Sequence, residues 1–171
     1  MNSESKSAPV HQFHAICEAE DYKCARDGIG PVADFEWFAI DEPGHAGVFA
    51  DGGTTWIPDR FFLGYDRYVS LREALGSLPV IATPVFEPRA EKWDPHGIIA
   101  AWASKGFFCY DWPVEESPNA NPNRPYRLVC RPSLPLALRA LGGQCREYLE
   151  LMRLHTVIFE RDSHVLITRN T

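Results

Sequence analysis

Residues 35–53, FEWFAIDEPGHAGVFADGG, constrain the fold more than any other part of the chain. Two short apolar runs, 35–40 and 46–50, flank the polar reversal Asp41-Glu42-Pro43-Gly44-His45. Proline fixes φ and glycine reaches positive φ, so the pattern predicts a β-hairpin. Trp37 and Phe38 are adjacent, and alternation along a strand sends them to opposite faces. The same holds for Phe107 and Phe108. Either the sheet is covered on both sides or aromatic rings face solvent as interface anchors. Asp34, Glu36, Asp41, Glu42 and Asp51 give the hairpin a negative character in the sequence.

A chain of 171 residues, 45% of them hydrophobic, is long enough to bury one ordinary core. The formal charge of −6 opposes general binding to phosphate backbones and suits a basic partner. It also lies in the ordinary range for a soluble domain. The five cysteines, Cys17, Cys24, Cys109, Cys130 and Cys145, are odd in number and form no CxxC pair, which predicts free thiols rather than a disulfide framework. The first ten residues lack the apolar stretch of a signal peptide. The apolar run 98–103 is far short of the roughly 20 residues that span a bilayer. The expectation is therefore a cytoplasmic protein without membrane contact.

The pattern predicts a disordered N-terminus over residues 1–10 and a single α+β domain over residues 11–171. Its sheet is expected to be mainly antiparallel, built from residues 35–41, 46–50, 107–112, 126–131, 156–160 and 164–168, with two or three helices packed on it. Residues 11–24 are compatible with a short helix. Helices are expected near 70–78, where Ser70 is the candidate N-cap, near 95–105, with Asp94 as cap and Gly106 as stop, and over 144–152. The proline-rich stretch 80–95 reads as an irregular connection, and 113–125 as a long polar loop. The turn Arg161-Asp162-Ser163 predicts a second hairpin at the end of the chain.

No residue pattern names a chemistry. His11, His14 and Cys17, with Cys24 nearby, fan over about 120° of a helix and do not converge on a metal. Cys109 or Cys130 with His155 or His164 would make a nucleophilic pair. Both cysteines lie in predicted strands without a glycine elbow or helix N-terminus to activate them. Asp111, Glu115 and Glu116 read more readily as a solvated edge than as an acid–base pair. Gly28-x-Gly30 and Gly52-Gly53 do not make a phosphate loop. Neither a metal nor a cofactor is expected.

Three stretches, EWFAIDEPGHAGVFADGG (36–53), KGFFCYDW (105–112) and PYRLVCRPSLPL (125–136), together resemble a family of small bacterial cytoplasmic proteins of the immunity type, encoded beside polymorphic or secreted toxins. The likeness is carried by Trp37, Asp41, Gly44 and Phe49; by Gly106, Tyr110, Asp111 and Trp112; and by Tyr126, Arg127, Val129, Pro132, Pro135 and Leu136. The resemblance implies an inhibitor, not an enzyme, that binds a cognate toxin domain and occludes its active or substrate site. A basic toxin would be steered by an acidic surface. Candidate contacts are Asp41, Glu42, Asp51, Asp111, Glu115 and Glu116, with Trp37 and Trp112 as aromatic anchors. The alternatives are a small enzyme or ligand-binding module with an unrecognised site, and a regulatory protein-interaction domain.

Overall fold

The computed structural model of the protein describes residues 19–27, 35–51, 57–94, 96–111 and 125–168. The expected disordered segment 1–10, the first half of the expected helix 11–24 and most of the loop 113–125 lie outside these residues. The chain runs α1 (Ala19–Asp27), β1 (Phe35–Ile40), β2 (Ala46–Asp51), α2 (Tyr65–Gly76), β3 (Pro84–Phe86), α3 (Ile98–Ser104), β4 (Phe108–Asp111), β5 (Tyr126–Pro132), α4 (Gly143–Leu151) and β6 (His164–Val165). This is an α+β fold. The strands form one sheet in the order β1-β2-β4-β5-β3, with β6 also pairing β5.

The predicted hairpin forms as read, with Trp37 opposite Phe49 and Ile40 opposite Ala46. The sheet is mixed rather than uniformly antiparallel, because β2 and β4 run parallel, joined by the long connection that holds α2, β3 and α3. A parallel pair needs such a crossover. Every residue of β1 is buried, so both faces are covered. On one face Trp37 stacks on Phe49 at 4.3 Å, Phe49 stacks on Tyr110 at 4.9 Å, and Phe159 closes over them. On the other, Phe38 meets Trp102 of α3 edge-on at 5.1 Å, and Trp102 meets Phe107 at 5.2 Å. Of the two outcomes that the adjacent aromatics allow, the double cover is realised.

Four expectations are corrected. Residues 156–160 are not a strand, because side chains capture their backbone donors: Asp162 Oδ2 accepts from Ile158 N and Asp41 Oδ2 accepts from Phe159 N. Only His164 and Val165 of the final run pair with β5. Within the proline-rich connection, Pro84–Phe86 forms an edge strand on β5, with Pro84 opposite Pro132 where neither residue has an N–H to donate. Helix α2 begins five residues before the expected start, after Gly64 at φ 119°, and Ser70 lies inside it, its hydroxyl donating to Asp66 O at 2.8 Å. Asp94 does cap α3, accepting from Ile99 N and Ala100 N, although the helix itself starts at Ile98. Gly106, at φ +94°, follows its end as expected.

Candidate functional site

The tip of the β1–β2 hairpin is held from below by one carboxylate. Asp41 is fully buried. Its Oδ1 accepts from Gly44 N at 2.9 Å and His45 N at 2.6 Å, and its Oδ2 accepts from Phe159 N at 2.9 Å. His45 Nδ1 lies 3.4 Å from Oδ2. Three charge-assisted bonds to backbone donors offset the cost of burying the charge. Gly44, at φ +93°, takes the conformation that the reversal demands.

A guanidinium holds the same turn from the side. Arg153 donates from one terminal nitrogen to Asp41 O at 3.0 Å and Glu42 O at 2.7 Å, and binds both carboxylate oxygens of Glu150 at 2.9 Å. The Glu150 contact raises the Arg153 pKa and lowers that of Glu150. Above Arg153 an open cleft of about 760 Å³ separates the hairpin tip, Pro43 and Gly44, from α4. Its other walls are Leu138 and Arg139 on one side and Arg146, Glu147 and Glu150 on the other. Glu150 is spoken for by Arg153, whereas Arg139 and Arg146 are exposed. A smaller groove of about 220 Å³ lies between α2 and α4, lined by Leu71, Cys145, Tyr148 and Leu151 among others.

The candidate contact residues that the structure describes do not form one surface. Asp41 and Trp37 are interior: Trp37 is fully buried and its Nε1 donates to Tyr126 Oη at 3.1 Å. Neither can meet a partner directly, because one holds the turn and the other fills the core. Glu42 is exposed at the tip. Asp51 ends β2 and Asp111 ends β4, at the opposite end of the strands from the tip. At roughly 3.3 Å per residue, the length of β2 separates the two groups by about 17–20 Å. Asp111 stands opposite Arg127 in the β4–β5 ladder. Trp112, Glu115 and Glu116 lie outside the described residues. Glu36 is likewise not a surface acid. It is 9% exposed and accepts from Arg72 Nε at 2.9 Å and Trp102 Nε1 at 3.0 Å, tying β1 to α2 and α3.

The nucleophile pairs do not assemble. Cys109 and Cys130 are 2% and 0% exposed, whereas His155 and His164 are exposed. Burial pushes the Cys109 thiol well above its usual range and that of Cys130 up to about 12, which suppresses the thiolate. His11, His14 and Cys17 lie outside the described residues. Among the described residues, no group of three or more His, Cys, Asp and Glu is gathered as a metal site, and no helix is long and apolar enough to cross a membrane. Arg139, Arg146 and Arg153, which line the cleft together with Glu147 and Glu150, are not singled out by the sequence. Arg139 lies in the 3-10 turn Leu138–Ala140, Arg146 on α4 and Arg153 two residues past its end, so their seven-residue spacing is not a helical period.

No protein-family model matches the chain, and no curated protein or solved structure matches it.

Proposed function

We propose that the chain is an immunity-type binding protein that engages a cognate toxin domain through the hairpin tip and the adjoining cleft, and inhibits it by covering its active or substrate site. The observation that carries this reading is the preorganised tip. Asp41 and Arg153 fix the turn with five hydrogen bonds to backbone groups, so Glu42 and Pro43 are presented at the rim of an open cleft in one conformation. A surface already ordered before binding loses little conformational freedom on association. The resemblance of 36–53, 105–112 and 125–136 to immunity proteins supports the same reading, as does the net charge of −6 for a basic partner. Contact at the tip enters through Glu42, with Arg139 and Arg146 available to a carboxylate on the partner.

The test is capture of the partner from the source cell on immobilised protein, followed by kinetics with Glu42→Lys and with Arg146→Glu. The expected result is a partner whose activity stoichiometric protein suppresses, a salt-dependent association rate that falls with Glu42→Lys, and faster dissociation with Arg146→Glu as its contact with a partner carboxylate is lost. Capture that neither reversal alters would move the interface away from the cleft. Turnover of a small molecule by the isolated chain would overturn the inhibitor reading.

A further inference from the structure

Strands β4 and β5 set two thiols against each other. Cys109 and Cys130 are Cα partners in an antiparallel pair. Residues directly opposite in such a pair share a face, with Cα atoms about 4.5–5.5 Å apart. That lies inside the window of about 4.4–6.8 Å that a disulfide spans. The register shifts between Cys109 and Tyr110, so Val129 is an additional residue on β5 at this point. A bulge interrupts the regular ladder there and gives the backbone local freedom to adjust.

Both thiols sit against the α3 side of the sheet. Cys109 Sγ donates to Ile99 O of α3 at 3.4 Å. Burial first, and then the charge of Asp94, which caps α3, raise the pKa of both thiols. Cys24 and Cys145, by contrast, are half-buried thiols in the helices α1 and α4.

We propose that Cys109 and Cys130 are a redox-convertible pair, which a small-molecule disulfide oxidises to a cross-strand disulfide locking β4 to β5. One cysteine thiolate attacks the oxidant R–S–S–R, forming a mixed disulfide and releasing one R–S⁻. The second thiolate attacks the protein sulfur of that mixed disulfide and releases the other R–S⁻. The two cysteines lose two electrons, the reagent gains them, and the two thiol protons end on the two released R–SH. The internal displacement runs between cross-strand neighbours on one face of the ladder, with the bulge supplying what adjustment the S–S bond needs. Burial controls the rate: the reaction waits for α3 or β3 to lift from the sheet, so the pair responds to sustained oxidation rather than to a brief pulse.

The test uses the full chain and oxidised glutathione as the probe, with free thiols alkylated before non-reducing digestion and mass spectrometry. The expected product is a single linked pair of peptides carrying Cys109 and Cys130, and a chain lighter by the mass of two hydrogen atoms after alkylation-corrected accounting. Its rate of formation rises about tenfold per unit of pH below the thiol pKa. In Cys109→Ser the same treatment leaves Cys130 as a glutathione mixed disulfide, because its resolving partner is gone. The proposal is overturned if wild-type Cys109 and Cys130 remain thiols while Cys24 and Cys145 react, or if each takes glutathione separately with no cross-link.

Discussion

The carboxylate of Asp41 accepts the backbone N–H of Phe159 at 2.9 Å, a bond that joins positions 118 residues apart. It places the Phe159 ring over Phe49 and Tyr110, and with the same side chain it closes the hairpin turn. Local turn geometry and long-range packing therefore depend on one group. Asp41→Ala strands three backbone donors and is expected to destabilise the protein by roughly 3–5 kcal/mol. Asp41→Asn keeps the shape but turns an N–H₂ toward one of those donors, for about half that cost. Urea unfolding of both variants measures the difference. Equal stability of wild type and Asp41→Ala would show that water replaces the carboxylate.

Gly47 belongs to the same arrangement. A Cβ built on Gly47 would lie 2.6 Å from the Phe159 ring, closer than real contacts allow. Gly47→Ala is expected to cost about 1–3 kcal/mol by overpacking. In a Phe159→Ala background the obstruction disappears, so the same substitution becomes nearly neutral. A double-mutant cycle gives a coupling of about 1–3 kcal/mol if the ring is the obstacle. Additive losses would locate the strain elsewhere.

How much of this was legible in the sequence follows the range of the forces involved. The hairpin was readable because Pro43 and Gly44 act through their own backbone angles. The double cover of the sheet was readable as a pair of alternatives, because Trp37 and Phe38 are neighbours in a strand. Val157, Ile158 and Phe159 resemble a strand, but Val157 N turns back to Leu154 O, and the donors of Ile158 and Phe159 go to Asp162 and to the distant Asp41, which no local pattern announces. Pro84 concealed β3, since proline enters a sheet only where no donor is needed. At the candidate site the acids misled most. Glu36 and Asp41 read as surface charge, yet both are buried on specific donors. The arginines at every seventh position were visible, but they stand on a short turn, on α4 and past its end, and no local pattern shows that these three places meet beside the hairpin tip.

Alkaline pH is expected to erode stability. Burial raises the pKa of Tyr110 and Tyr148, whose hydroxyls donate to Asp162 O and Phe61 O at 2.7 Å, as well as those of Cys109 and Cys130. As pH climbs, the unfolded chain releases these protons near the ordinary values, about 8.5 for Cys and 10 for Tyr, while the native state retains them. The native state then binds more protons, so stability falls with rising pH. It is fully present below the unfolded values and is lost as pH rises toward the folded ones, at about 1.4 kcal/mol per pH unit for each proton. Denaturation midpoints measured from neutral to alkaline pH should decline, and Tyr110→Phe should make that decline shallower. A flat profile would mean that these groups titrate alike in both states.

Arg153 separates the stability of the tip from its use. It spans Glu150 and the carbonyls of Asp41 and Glu42, so Arg153→Met frees two backbone acceptors and releases Glu150. The hairpin ladder and the Asp41 bonds remain, so the expected loss in global stability is moderate, about 1.5–3 kcal/mol. The larger effect should be local. Amide exchange should accelerate at Glu42 and Gly44, while exchange at Phe38 and Val48 in the hairpin strands changes only by the global loss. If the tip is the docking element, this loosening weakens capture of the partner by more than the loss of fold accounts for, because binding must then restore the order that Arg153 supplied. Arg153→Lys restores a charge but not the fork that binds Glu150, so it should recover only part of the protection. Faster exchange at the tip with unchanged capture would leave the turn rigid for structural reasons alone and would shift the binding surface to the α4 wall of the cleft.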